Sequence, residues 1–390
     1  MSPGNLRGPL LALVLIVSCT APAQAGEAPP LLQSPDGGLR LKLGARLHVD
    51  VRAPLLTCTS ALDCSEPPRE VSFVARRSQL QLGATLFEVL DSEFVIDFRG
   101  GGETRVEHAF LAFRPHEWLQ LQLGLGKVPM GYEFFVLSSN HTDFMERSLL
   151  FTNLHAQPYE LGVALHGTAW NKRVAYWVGL SQNMAFDLHH QNLVARVSIA
   201  PMEGLWLGVS GAWGEREEIL EWVSATGVEG EHWEDRYLFV LGPHHRLGGE
   251  LALYRGPASF KAEYGQRFDT LEDGQGVSRQ GLYASASWVL TGERKTARGV
   301  EPHAPLLPTE RWRGPGAWEL ATRYGQLWGK SPSEEAPDTF HRIHEFSLGL
   351  NWYLTPNVRW MLGLNGYHFQ EGSEDDKAFL EVLSRAQLAF

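Results

Sequence analysis

No stretch of this 390-residue sequence is apolar for long enough to cross a bilayer as a helix; the longest early run, Leu10–Val17, is too short. Cysteine is scarce, with three residues, which excludes a disulfide scaffold, and glycine is far too sparse for collagen. Basic residues are outnumbered, with 34 Lys and Arg against 45 Asp and Glu, and the formal charge of -11 argues against general nucleic-acid binding. Catalytic signatures are also missing. His189-His190 and His244-His245 are adjacent pairs, His341 and His344 fall on opposite sides of a strand, and none forms His-Glu-x-x-His. There is no Gly-x-Ser-x-Gly, the glycines at 124, 126 and 131 precede no Gly-Lys-Ser/Thr, and no carboxylate pair is fixed by spacing. The sequence therefore predicts neither an enzyme nor a cofactor or metal protein.

What is present is 44% hydrophobic content, 40 glycines and many aromatics, a composition for an ordered chain. Residues 1–25 read as a secretory signal peptide: Arg7, an apolar run, and Ala23-Gln24-Ala25 as the cleavage site. An alternative is lipoprotein cleavage before Cys19. Either route exports the chain, so Cys58 and Cys64 in CTSALDC could close a small loop; their spacing fits neither a redox pair nor half a zinc site. Residues 26–38 form a short lead, and 39–390 read as one domain.

That domain is patterned with a period of two. LRLKLGARLHVDV places Leu41, Leu43, Ala45, Leu47 and Val49 on one face and Lys42, Arg46, His48 and Asp50 on the other. LQLQLGLG from Leu119 and SEFVIDF from Ser92 alternate in the same way. Fourteen further segments begin near Val71, Thr104, Glu160, Arg173, Asn192, Gly204, Asp235, Gly249, Ser259, Gly281, Gly316, His341, Pro356 and Ala378. The weakest is that near Asp235, so sixteen strands are expected. Turn residues at Arg114–Glu117, Asn171-Lys172, Ala200–Glu203, Arg255–Pro257 and Thr355–Asn357 mark hairpins. Longer connections are expected at 51–70, 128–159, 215–234, 268–279, 292–315, 328–340 and 370–377, giving short turns at one end and long loops at the other.

A soluble sandwich would bury the apolar faces, whereas a membrane barrel turns them to lipid and keeps a polar lumen. The polar faces mix glycine and glutamine with both signs of charge, unlike a solvent-facing coat. Aromatics gather near strand ends, as at Trp352-Tyr353, Trp360 and Tyr367–Phe369, where an interfacial belt is expected. The last segment, AFLEVLSRAQLAF, alternates to its end and could pair with the first strand, removing the open edge that lipid does not tolerate. The fold class is all-β, an antiparallel transmembrane β-barrel.

Sequence words in order carry a resemblance. FVARRSQLQLGATLFEVLDSEFVIDFRGG from Phe73, LQLQLGLGKVPMGYEF from Leu119, TDFMERSL over Thr142–Leu149, YELGVALHGTAW at 159–170, GELALYRGPASFKAEYGQRF at 249–268 and YASASWVLTGER at 283–294 form the series. It continues through Gly316–Leu320, Arg323-Tyr324, Asn351–Leu354, Pro356–Arg359 and the final RAQLAF. Together these resemble the phosphate-selective porin O/P family of bacterial outer-membrane barrels. The resemblance implies a homotrimeric, sixteen-stranded channel in outer-membrane lipid and lipopolysaccharide, with its third long loop folded inward as a constriction. It also implies lumen arginines and lysines near the constriction: Lys127 falls on the Gly-x-x-Lys-x-Pro match and Arg147 on Phe-Met-Glu-Arg.

Lys42, Arg46, Arg99, Lys261, Arg267, Arg323, Arg359 and Arg385 lie on faces assigned to the lumen, but Asp50, Asp97, Glu263, Glu319 and Glu381 share them. Glu319 and Arg323, two same-face steps apart, could join one local network. Loop 128–159 carries Glu133, Asp143 and Glu146 against Arg147, with His141 and His155 charged or neutral according to environment. Glu146 and Arg147 could anchor this loop to the wall or act on permeation, and Lys127 could be a hinge or face ions. The expected activity is passive passage of small hydrophilic solutes or inorganic anions, anion-preferring, with phosphate conduction open. The alternative is a structural or surface-adhesion barrel without an open pore.

Overall fold

The computed structural model describes residues 30–60, 63–65, 71–98, 104–154, 158–182, 190–221, 237–306, 314–330, 340–371 and 377–390. Sixteen antiparallel strands form the wall. The first eight are β1 (Leu39–Ser60), β2 (Ser72–Leu86), β3 (Leu90–Phe98), β4 (Thr104–His116), β5 (Leu119–Lys127), β6 (Tyr159–Ala169), β7 (Val174–Gln182) and β8 (Asn192–Met202). The second eight are β9 (Leu205–Glu221), β10 (Tyr237–Arg255), β11 (Ala258–Leu271), β12 (Gly276–Val289), β13 (Ala317–Lys330), β14 (Phe340–Tyr353), β15 (Val358–Glu371) and β16 (Lys377–Ala389). Each pairs with its sequence neighbour, and β16 pairs with β1 from Arg46↔Ala389 to Cys58↔Ala378. Closure leaves no edge, and even the shortest strands, of nine residues, are long enough to cross a bilayer when tilted.

The faces are sorted as lipid demands. Leu121 and Leu123 point outward at 47% and 61% exposure, while Asp50, Glu345 and Glu381 on inward positions are fully buried. A protein in water would invert this, because burying ionised groups beneath an exposed apolar coat is strongly unfavourable there. Phe87, Trp118, Trp170 and Trp288 stand exposed at the short-turn ends, and Trp318 stacks on Trp352 with ring centroids 5.0 Å apart. These amphipathic rings suit an interfacial girdle.

The structure corrects several details of the pattern. The segments near Asp235 and Gly249 are one long strand, β10, so the count of sixteen comes from fusion rather than from loss of the weaker segment. Pro243 and the glycines at 242, 248 and 249 obscure its alternation, and its register with β11 shifts between Val240 and His244. The connection expected at 268–279 is only Glu272–Gln275, a tight turn with Gly274 at φ 84°. The long 290–316 connection lies at the short-turn end: Val289 N–H donates to Pro257 O, and Lys295 N–H to Gly256 O. One long segment therefore breaks the expected division into a short-turn end and a long-loop end.

Tyr353, Tyr367 and Phe369 do not join an interfacial belt. Tyr367 and Phe369 are buried inside with Leu271, Val277, Tyr283, Leu327, Ile343 and Phe379, so the inner face becomes apolar toward the long-loop end. The reason is a covering segment: Leu149 and Leu150 of the 128–154 loop belong to the same cluster. Near the lead, Leu32–Gln33 pairs with Leu41 and Arg40. Cys58 and Cys64 are direct register partners in a short ladder. The leader, 1–25, lies outside the described residues.

Candidate functional site

The loop that follows β5 builds the interior. Beyond Lys127 the chain turns through Val128–Met130, with Val128 N–H donating to Pro158 O at 3.0 Å. Gly131, at φ 73°, opens a wide helical turn over Gly131–Val136, closed by Leu137 N–H to Tyr132 O at 3.0 Å. The first N–H groups of such a turn have no internal acceptor. Here those of Tyr132 and Glu133 each donate to the Glu263 carboxylate of β11 at 2.7 Å. Val128 and Met130 pack on Val194 and Ala212, and Tyr132 and Leu137 on Ala252. Farther on, α1 (Leu149–Leu154) begins with Leu149 N–H on Glu345 at 3.1 Å.

Charges tie the middle of the loop to the wall. Glu146 is buried among Arg52, Arg76 at 3.1 Å and Arg385 at 3.9 Å, contributed by β1, β2 and β16. Burial opposes its ionisation, but Arg76 and Arg52 outweigh that and hold its carboxyl well below the usual range. Arg385 also donates to Met145 O at 2.8 Å. Arg323 donates to Glu133 at 3.2 Å, to Glu146 O at 3.1 Å and to Glu345, while its guanidinium lies over Phe144. Arg147 points back into its own loop, donating to Glu133 O at 2.8 Å and lying over Phe134 and Phe151. Lys127 does the same at the root, donating to Phe134 O at 2.9 Å. Hydrogen bonds to backbone carbonyls are what a loop buried in a lumen needs to stay folded.

A second group surrounds Asp143. Lys261 of β11 contacts one carboxylate oxygen, and Lys295 of the 290–316 connection reaches the other at 2.9 Å. Lys295 also lies 2.6 Å from Glu319 Oε1. Tyr353 donates to Glu319 at 2.6 Å, and Asn351 Nδ2 donates to Glu319 at 3.2 Å and to Asp143 O at 3.0 Å. Glu319 and Arg323 thus share a face but not a contact pair; each finds its partner across the lumen or on a neighbouring strand.

Toward the short-turn end lies a cavity of about 220 Å³. Arg46, Arg298, Arg359, His141, Gln79 and Gln387 line it, with no Asp or Glu among the described residues of its lining. Arg46 donates to Gln79 at 2.8 Å and to Ser139 at 3.0 Å. Arg359 donates to Thr142 O and Gln387, both at 2.9 Å. Neither has a carboxylate at ion-pair distance among the described residues, unlike Arg52, Arg323 and Arg385. Burial, and then the charge of Arg359, push the His141 imidazole down to about 4, so it is neutral at neutral pH.

The predicted residues therefore divide. Arg46, Arg359 and His141 meet at the cavity; Lys261, Arg323, Arg385 and Glu146 hold the loop; Lys127 and Arg147 serve the loop's own backbone. Arg267 pairs with Asp269 at 2.7 Å, away from these groups, and Lys42 sits inward on β1, opposite Gly83. Arg99 and His155 lie outside the described residues. Sequence reading missed Arg52, Arg76, Arg298, Lys295 and Glu345. Inner-face parity could have found Arg52 and Glu345, and the basic run Arg294-Lys295 followed by Arg298 could have flagged the connection.

Comparison with solved structures gives the same architecture. OmpT of Vibrio cholerae, folded in vitro, superposes with a TM-score of 0.61 at 10% identity, over 93% of this chain and 100% of that one. The outer membrane channel DcaP of Acinetobacter baumannii gives 0.61 at 9%, over 92% and 99%. An anion-selective porin from Comamonas acidovorans gives 0.57 at 12%, over 90% and 100%. No curated protein sequence matches the chain. The family model described as phosphate-selective porin O and P matches residues 42–390. With a closed barrel whose apolar faces look outward, this defines a non-catalytic transport protein integral to the outer membrane. The chain belongs to the phosphate-selective porin O and P family.

Proposed function

We propose that this barrel is a passive porin for small hydrophilic solutes that prefers anions to cations. The observation that carries the preference is the cavity holding Arg46, Arg298 and Arg359, with no Asp or Glu among the described residues of its lining. In a narrow, low-dielectric lumen such charges act over the whole cross-section, so a modest local excess outweighs the net charge of distant loops. The 128–154 loop acts as the constriction, and solutes follow their own gradient without a cofactor. Arginine forks and amides accept any small oxyanion, so phosphate is one solute among several. The anion-selective porin from Comamonas acidovorans and the trimer form of OmpT from Vibrio cholerae make anion preference and a homotrimer natural readings. Cleavage after Ala25 and anchoring in lipopolysaccharide-bearing outer membrane complete the proposal.

Reversal potential in asymmetric KCl tests it. A potential of anion-selective sign is expected, and a cation-selective one refutes the preference. A second reading, a sealed structural or adhesion barrel, is favoured by one observation: the loop is tied to the inner wall by paired charges and by the apolar cluster around Leu149 and Leu150. A bilayer that stays sealed across varied salts after reconstitution selects that reading.

A further inference from the structure

The 128–154 loop descends from one end of the barrel, and the 290–316 connection enters from the other. They meet. The connection makes a small hairpin in which Lys295-Thr296 pairs with Gly299-Val300, and Gly299 sits at φ 89°, a conformation that a β-carbon makes costly. A β-carbon on Gly299 would stand only 3.4 Å from the His141 ring. Val300 packs with Val289, Ala317 and Tyr353 of the wall, while Ala297 packs against the cluster of Tyr132, Leu137 and Ala252. The hairpin is thus seated on the wall and touches the loop at two places.

Between those places is Lys295, 1% exposed, with Asp143 of the loop at 2.9 Å and Glu319 of β13 at 2.6 Å. Burial alone would disfavour its ammonium; the two carboxylates outweigh that and keep it charged far beyond the ordinary lysine range. With Lys261 the group contains two cations and two anions. Tyr353 connects it to the cavity, donating to Glu319 while Arg359 approaches its hydroxyl at 3.4 Å. Losing the ammonium would leave the group one charge negative beside the arginines proposed to favour anions.

We propose that Lys295 is a positioning and selectivity-determining residue: it latches the inward loop to the opposite-end hairpin through Asp143, and it keeps the carboxylates beside the cavity neutralised. The mechanical half stands on the geometry alone, whereas the selectivity half rests on the anion-preferring reading.

Three variants of the full barrel separate the halves: Lys295→Met, Lys295→Arg, and Lys295→Met combined with Asp143→Asn. Hydrogen exchange of the 128–154 amides reads the latch, and reversal potential in asymmetric KCl reads the charge. Lys295→Met is expected to speed exchange at 139–146 on the order of tenfold or more, since buried Glu319 loses its cation and Asp143 keeps only Lys261 of its two. It is also expected to move the reversal potential toward cations. Lys295→Arg should restore most of both. The double variant removes one charge of each sign, so it should return the potential to the wild-type value while exchange stays fast. Wild-type exchange in Lys295→Met overturns the latch, even if the barrel does not conduct. A double variant as cation-shifted as the single one overturns the charge role. Heat-modifiable mobility in gels shows that each barrel is folded, and a misfolded methionine variant transfers the exchange test to Lys295→Gln.

Discussion

Arg385 on the last strand and Asp50 on the first face each other across the seam that closes the barrel, with Nε to Oδ1 at 2.6 Å and a terminal guanidinium nitrogen to Oδ2 at 2.7 Å. Both are buried, and they are register partners. A planar guanidinium gripping both carboxylate oxygens fixes geometry that a lysine would not. The same arginine holds Met145 O, so the seam and the inward loop share a residue.

Breaking that pair should therefore weaken two things together. Asp50→Asn or Arg385→Met is expected to destabilise the folded barrel by up to roughly 3–5 kcal/mol, because the remaining buried partner loses its two-pronged contact and keeps only a longer one, Asp50 to Arg52 at 3.5 Å or Arg385 to Glu146 at 3.9 Å. Denaturant unfolding in detergent, followed by tryptophan fluorescence, checks this. A loss below about 1 kcal/mol would make the pair no stronger than a surface ion pair.

Acid should loosen the loop in two stages. His141 is held at about 4 in place of 6.5 by burial, reinforced by Arg359, Arg46, Lys295 and Arg298. Between those values the undocked loop takes up a proton that the docked loop refuses, so docking weakens as pH falls through that window. Asp143 and Glu146 are held below the usual carboxylate range, Asp143 by Lys261 and Lys295 and Glu146 by Arg76 and Arg52, each against the opposing effect of burial. Their stabilisation is complete above the ordinary carboxylate range and is lost as pH falls below it. Open-channel noise and loop exchange should rise first on acidification to about pH 4, and again below it. His141→Gln should remove the first stage only.

Glu146 is shared by three arginines, two of which, Arg52 and Arg385, also face Asp50. Glu146→Gln is expected to cost loop docking roughly 3–5 kcal/mol and to leave unbalanced positive charge beside the path. Single-channel recordings should show larger, noisier openings, and the reversal potential should move further toward anions. A shift toward cations would contradict the assigned electrostatics.

Arg359 and Lys127 offer a contrast between charges of the same sign. Arg359 lines the cavity, so Arg359→Glu should shift the reversal potential clearly toward cations. Lys127 donates to Phe134 O and lies over the Phe134 ring, 4.9 Å from its centroid. Lys127→Met should therefore act on the hinge, costing about 1.5–3 kcal/mol for a charged hydrogen bond, with a much smaller change in selectivity. An equal or larger selectivity change in Lys127→Met would move that lysine into the ion path.

The sequence by itself determined the wall. Alternation such as Leu119 to Leu125 is a property of consecutive backbone residues: a strand sends neighbouring side chains to opposite sides, so the lipid face is legible locally. The same parity, followed strictly, places Tyr367 and Phe369 on the inner face with Arg359 and Asn365, where the structure has them. Reading aromatics as an interfacial belt by composition hid that signal. Tertiary structure decided what the inner charges do. Glu319 and Arg323 look like partners along the strand, yet closure brings Lys295 to one and Glu133 and Glu345 to the other. Asp143 finds its cations more than a hundred residues away, from a strand and from a connection entering at the opposite end. No periodicity encodes such contacts, because ion pairing depends on distance through the lumen rather than along the chain. The sequence set which residues face inward; only the closed barrel set which of them pair with each other and which, like Arg46 and Arg359, have no carboxylate at ion-pair distance among the described residues.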